Sequence, residues 1–161
     1  MTKLAIPSPV ITTIPIHGSD EVFPVRRVYC IGRNYADHVI EMGNDPKESP
    51  IFFQKNTDNV DTSGKFPYPP QSNDVHHELE LVMALKSGGS NISEVDAYKH
   101  IYGFAVGLDM TRRDLQAVAK KGGKPWEVGK AFERSAPMGT LTKIEESGNM
   151  DSGKITLTVN G

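Results

Sequence analysis

The chain has a single cysteine, Cys30, among its 161 residues. One cysteine excludes an intrachain disulfide and a cysteine-based zinc site. That suits a reducing compartment, and the cytoplasm is the expected location. Long apolar runs are also missing. A membrane-spanning helix needs about 20 consecutive apolar residues, and no such run occurs. The apolar start, Met1 to Ile16, is broken by Pro7, Pro9 and Pro15. It lacks a basic head ahead of a continuous apolar stretch, so it does not read as a signal peptide. There is no basic run and no RNA-binding aromatic motif, and the net charge is −2. Those absences argue against a nucleic-acid partner. No internal repeat or low-complexity segment occurs. The remainder is 37% hydrophobic and 24% charged, which fits one folded domain with a real core.

Residues 1–24 read as an extended lead-in with a turn at Gly18-Ser19-Asp20, followed by a domain over 25–161. Val25 to Ile31 is rich in β-branched and aromatic residues and predicts a strand ending at Gly32. Asn34 can cap a short helix from Tyr35 through Met42, with Gly43 placed to end it. Ile51 to Lys55 predicts a second strand. Asn56 to Asp74 is a long polar stretch, either functional or a plain surface insertion. A strand is expected from Val75 to Leu85, and Ser93 can cap a helix over Glu94 to His100. Tyr102 to Leu108 predicts an apolar strand. Thr111 or Arg112 opens a helix through Lys120, which Lys121 to Pro125 breaks. Ile155 to Val159 alternates and predicts a last strand. An Asn-Gly pair, Asn160-Gly161, follows it as a strong hairpin signal with no returning strand. The pattern predicts a chain that stops inside a larger domain, with an ordinary frayed terminus as the alternative.

The segment His76-His77-Glu78-Leu79-Glu80-Leu81-Val82 carries the most chemical information. Side chains alternate along a strand, so Glu78 and Glu80 would share a face and lie about 7 Å apart. On a half-buried surface the two carboxylates repel, and one must bind a proton unless a cation intervenes. Oxygen-only ligands suit a hard ion such as Mg²⁺, Mn²⁺ or Ca²⁺. A solvent-facing strand edge explains the same spacing. Asp109, just after the apolar strand, can complete a three-carboxylate set or cap the next helix. His38 and Glu41 are three apart on the predicted helix and share a face. A carboxylate beside an imidazole suits a general base that activates water, while a solvated helix pair is the plainer reading. Lys55 and Lys130 adjoin aromatic residues and can pair with a substrate carboxylate, or lie on the surface. Arg113 and Gln116 can line a pocket from one helix. His76 would share the glutamates' face near an ion, and His77 would point away.

Taken in order, five motifs are far more specific. They are Gly32-Arg33-Asn34-Tyr35-Ala36-Asp37-His38, Phe53-Gln54-Lys55, His76 to Leu81, Gly107 to Gln116, and Pro125-Trp126-Glu127-Val128-Gly129-Lys130-Ala131-Phe132. Together they resemble the fumarylacetoacetate hydrolase family, and most closely its acylpyruvase and fumarylpyruvate hydrolase branch. The resemblance runs from about Pro24 to Gly161. It implies an α+β, mainly β fold of rolled or sandwiched mixed sheets with few helices, usually dimeric. It implies a metal site from Glu78, Glu80 and Asp109, holding Mg²⁺ with Mn²⁺ or Ca²⁺ as alternatives. It implies a catalytic His38 held by Glu41, a role for Lys130 at the reacting centre, and substrate-facing Lys55, Arg113 and Gln116. The activity implied is hydrolysis of a C–C bond in an acylpyruvate, fumarylpyruvate above all. Oxaloacetate decarboxylation, hydroxydienedioate isomerisation, or a non-catalytic remnant with a binding role are the alternatives. Members of the family continue beyond the Val-Asn-Gly hairpin with further strands, and this sequence does not.

Overall fold

The computed structural model describes residues 3–32, 34–35 and 49–161. The elements run β1 (Thr13–Pro15), β2 (Val22–Pro24), β3 (Val28–Gly32), β4 (Ile51–Lys55), β5 (Val60–Asp61), β6 (Val75–His76) and β7 (Leu79–Leu85). After α1 (Glu94–Ala97) come β8 (Ile101–Leu108), β9 (Thr111–Arg112), α2 (Arg113–Lys121), α3 (Glu127–Lys130), β10 (Ala136–Pro137), β11 (Thr142–Lys143) and α4 (Ile144–Ser147). Short strands dominate, as the resemblance implies. The predicted helix carrying His38 and Glu41 falls at 36–42, outside the described residues, apart from Tyr35 at its start.

Pairing is mostly antiparallel. β7, β8 and β11 form a three-stranded sheet in the order β11-β8-β7. β3 pairs with β4, β1 with β2, and β6 with β9, while β5 and β10 pair in parallel. Gly103 makes room for β11, because a Cβ there would lie 2.1 Å from the Thr142 carbonyl oxygen.

The expected strand over Val75–Leu85 breaks at His77-Glu78, and the reason is a change of partner. β6 runs against β9, whereas β7 runs against β8. At the changeover the Asp109 N–H donates to the Glu78 carbonyl at 2.8 Å. The strand predicted over Ile155–Val159 does not form. Those residues are coil, with Ile155, Leu157 and Val159 exposed. An alternating pattern makes a strand only when another strand edge takes its backbone hydrogen bonds and apolar face, and none does so among the described residues. Asn160 and Gly161 take φ of 59° and 93°, the left-handed pair that a tight hairpin turn uses.

Within the segment read as a lead-in, residues 13–24 carry two paired strands. β1 and β2 make a hairpin around Gly18, which has a φ of 66°. Ile14 and Ile16 are buried with Ala84, Ala105 and Leu141. Phe23, Val25, Val60, Val82, Tyr102 and Met138 pack against that cluster. Leu141 is 0% exposed, and its N–H and carbonyl bond to Pro15 and His17. The N-terminal hairpin is thereby tied to the strand that precedes β11. Leu141→Ala should lower the unfolding free energy by about 2–5 kcal/mol. Urea denaturation checks this, and a loss below about 1 kcal/mol would move the core elsewhere.

Candidate active site

Chain segments far apart in sequence converge where β7 begins and β8 ends. The β7–β8 register pairs Leu79 with Leu108 and Glu80 with Gly107. One step on, the Glu78–Asp109 backbone bond sets those two residues side by side. Asp109, Thr111, Gln116, Lys55 and Lys130 are buried, and Glu78 and Glu80 are half-buried.

Lys130 lies at the end of α3. Its Nζ donates to Glu78 Oε2 at 2.6 Å, Asp109 Oδ2 at 2.7 Å and Thr111 Oγ1 at 2.7 Å. It also sits 5.1 Å from the centre of the Phe53 ring. Gly129 lets α3 come this close. A Cβ on it would lie 2.9 Å from the Gln116 backbone nitrogen in α2.

Lys55, at the end of β4, lies behind this cluster. Its Nζ is 2.9 Å from Asp109 Oδ1 and donates to the Met110 carbonyl at 3.2 Å and to the Lys130 carbonyl. Its side chain is 1% exposed, buried behind Asp109. Burial lowers its pKa, and Asp109 opposes that shift. The 2.9 Å pairing is not aligned as a hydrogen bond. Asp109 Oδ1 is therefore a buried oxygen without an aligned donor among the described residues.

Arg113 opens α2. Its Nη2 donates to Glu78 Oε1 and its Nη1 to Gln116 Oε1 at 2.5 Å. The i, i+3 pair expected to line a pocket is thus bonded to itself and to a carboxylate.

The two glutamates differ sharply in electrostatics. Burial pushes the Glu78 carboxyl up, but Lys130 and Arg113 outweigh it and hold the group below the usual range. Glu80 has no such cation in contact among the described residues. Burial, then the charges of Asp109 and Glu78, push it up to about 7, opposed by Tyr35 and Lys130. This is the conflict that the Glu-Leu-Glu spacing implies: one carboxylate is charged and the other holds its proton near neutrality. The Cys30 thiol is pushed up to about 12, by burial first and then by Asp109.

Two features fit a hard divalent cation. The donors are carboxylate oxygens, and one of them, Asp109 Oδ1, has no aligned donor. The three carboxylates do not close on one point, however. Among the described residues no group of three such side chains is arranged around a common ion position, and both Glu78 oxygens are taken by Arg113 and Lys130. Glu78, Glu80 and Asp109 therefore fit the cation in the kind of donor but are not gathered around one ion position, and Lys130, Arg113 and Lys55 are the counter-charges of Glu78 and Asp109.

His76 is not part of the cluster. It is exposed on β6 and pairs with Asp74 Oδ1 at 2.9 Å. His77 is exposed in the break between β6 and β7. His38 and Glu41 lie outside the described residues. Sequence reasoning passed over Thr111 and Tyr35. Tyr35 Oη accepts from the Leu81 N–H at 3.3 Å, beside Glu80. The signal for Thr111 was its place two residues after Asp109.

Residues 27–161 match the family described as fumarylacetoacetate (FAA) hydrolase C-terminal. A crystal structure of fumarylpyruvate hydrolase from Pseudomonas aeruginosa, in complex with Mn²⁺ and pyruvate, is 49% identical with a TM-score of 0.86. That match covers 91% of this chain and 65% of the other. An oxaloacetate tautomerase of Escherichia coli is 38% identical over 86% of this chain and 64% of its own length. A mitochondrial oxaloacetate tautomerase of Caenorhabditis elegans is 36% identical over 84% of this chain and 64% of its own length. The chain thus spans a little under two thirds of the length of these curated relatives. A family match over most of the sequence, on a fold shared at this level of identity, makes the chain a member of the fumarylacetoacetate hydrolase family.

Proposed function

We propose that this chain carries the acidic core of an enzyme that hydrolyses a C–C bond in an acylpyruvate, converting fumarylpyruvate to fumarate and pyruvate. The observation that carries the reading is the Glu78–Asp109–Lys130 cluster with Glu80 beside it, in a chain 49% identical to a fumarylpyruvate hydrolase. Glu78, Glu80 and Asp109 would hold a divalent ion, Mg²⁺ or Mn²⁺. When bound, such an ion supplies Lewis-acid stabilisation of the negative charge that develops on the substrate's oxygens.

The chain's own residues do the rest. His38, oriented by Glu41, takes a proton from the water that adds to the distal carbonyl. The C–C bond then breaks, and the pyruvate fragment leaves as a carbanion equivalent that takes up a proton. Arg113 has guanidinium N–H groups beyond the two used on Glu78 and Gln116, so it can hold a substrate carboxylate without releasing Glu78. Gln116 fixes the plane of that guanidinium. Lys130 keeps a positive charge beside the reacting centre, and Lys55 holds Asp109 from behind. A homodimer is part of the proposal, and molar mass in solution tests it.

A second reading has its own support. Two curated relatives, at 36% and 38% identity, are oxaloacetate tautomerases. Tautomerisation of a 2-oxo diacid also builds enolate charge beside a carboxylate, so the same cluster can serve it. Assaying fumarylpyruvate against oxaloacetate with Mn²⁺ and with Mg²⁺ decides between the two.

Glu80→Ala should abolish ion-dependent turnover, and unchanged activity would sink the metal assignment. His38→Ala should leave ion binding intact and lower kcat by roughly 10²–10⁴-fold. A preserved rate would mean that another base acts.

The Glu80 shift also has a signature in stability. Its folded-state pKa of about 7 lies above the ordinary 4.5. The fold therefore holds the Glu80 proton more tightly than the unfolded chain does. This contribution is fully present below about pH 4.5 and is lost as pH rises through about 7. In chelator-treated protein, Glu80→Gln should flatten the fall in Tm between those pH values. Mn²⁺ should raise the Tm of the parent at pH 7.5 more than that of the variant. Parallel Tm profiles would show that Glu80 does not carry the excess charge.

A further inference from the structure

A buried ammonium has three N–H donors, and Lys130 commits all three, to Glu78, Asp109 and Thr111. Two of these acceptors are carboxylates with a second proposed task, holding a cation. The third is neutral. Thr111 is 0% exposed, and its hydroxyl donates to the Asp109 carbonyl at 3.1 Å. That bond uses the hydroxyl hydrogen and leaves an oxygen lone pair for Lys130 Nζ. The backbone is equally constrained. Thr111 pairs with His76 across β6–β9, and the next N–H but one, that of Arg113, donates to the Asp74 carbonyl at 2.7 Å. Thr111 does not serve α2 as its opening cap. The helix begins at Arg113, and the preceding residue caps it with no side-chain bond.

We propose that Thr111 is a positioning residue: its hydroxyl is the neutral, fixed anchor that holds the Lys130 ammonium between Glu78 and Asp109. When the two carboxylates turn toward a cation, Thr111 keeps the ammonium at the reacting centre. The catalytic part of this inference rests on the functional reading above, but the anchoring itself does not.

Packing alone and anchoring predict opposite rankings for two variants. Thr111→Val keeps the shape and loses the hydroxyl. Thr111→Ser keeps the hydroxyl and loses a methyl group. If Thr111 only fills space, the serine variant is the worse of the two. If it anchors Lys130, the valine variant is worse. The first readout is the ¹⁵Nζ ammonium signal of Lys130 in the metal-free, full chain. A slowly exchanging signal is expected in the parent and in Thr111→Ser, and a broadened or lost one in Thr111→Val. The second readout is turnover of fumarylpyruvate and oxaloacetate. Thr111→Val should lower kcat roughly ten- to a hundred-fold with KM little changed, and Thr111→Ser should restore most of it.

No slow Lys130 signal in the parent, or equal spectra in the two variants, overturns the anchor. A spectral difference with kcat unchanged in Thr111→Val overturns its catalytic part. If the parent turns over neither substrate, the functional reading fails by itself, and the ammonium spectra alone uphold or overturn the anchor.

Discussion

A charge taken out of water must be paired, and the Lys130 ammonium is where this protein meets that demand. At 2% exposure it holds Glu78 and Asp109 together. Removing one partner of such a buried pair leaves the other uncompensated, at a cost of about 3–5 kcal/mol. That penalty fixes the surroundings. The start of β7 and the end of β8 must be in register, α3 must lie against α2, and Lys55 must sit behind Asp109. Gly129 shows how tight the requirement is, because a single Cβ would lift α3 off the Gln116 backbone. The site is thus built around a fixed positive charge.

The same network divides the labour between two otherwise equivalent glutamates. Glu78 touches Lys130 and Arg113 and stays ionised. Glu80, on the next same-face position of the pattern, touches neither. It bears the repulsion of Asp109 and Glu78, and Tyr35 and a more distant Lys130 relieve it in part. The result is one settled carboxylate, one buried carboxylate with an oxygen that has no aligned donor among the described residues, and one carboxyl poised near neutrality. A divalent cation bound there would take the proton from Glu80 and compete with Lys130 and Arg113 for Glu78. Acylpyruvate cleavage and oxaloacetate tautomerisation both load negative charge onto a carbonyl oxygen beside a carboxylate. On the proposed reading the cluster would serve either reaction, and the choice between them would rest on groups that surround it.

Much of this was legible in the sequence. Ile51–Lys55 forms the strand that its β-branched and aromatic residues predict, and Ser93 caps α1 with its side chain accepting from the Asp96 N–H. Glu78, Glu80, Asp109, Arg113, Gln116 and Lys130 stand in motifs whose order alone marks the family, and the fold brings them to one place. The Glu-Leu-Glu spacing announced a charge conflict, and Glu80 carries it. These features depend on local pattern and residue chemistry, which a sequence holds directly.

Tertiary structure decided what depends on pairing. The strand through Glu78 breaks because β6 and β7 have different partners, and no periodicity within one segment records who its neighbour is. Ile155–Val159 has the strand pattern without the strand, for want of a partner among the described residues. Lys55 reads like any lysine beside aromatics, yet the β3–β4 hairpin carries it beneath Asp109 and out of solvent. Thr111 reads as a helix opener, and only the meeting of β9 with α3 turns its hydroxyl to Lys130. The sequence by itself determined the family and the chemical kind of the site. Which charge neutralises which, and therefore which carboxyl holds a proton, was decided by tertiary structure, because electrostatic partnership depends on distance in space.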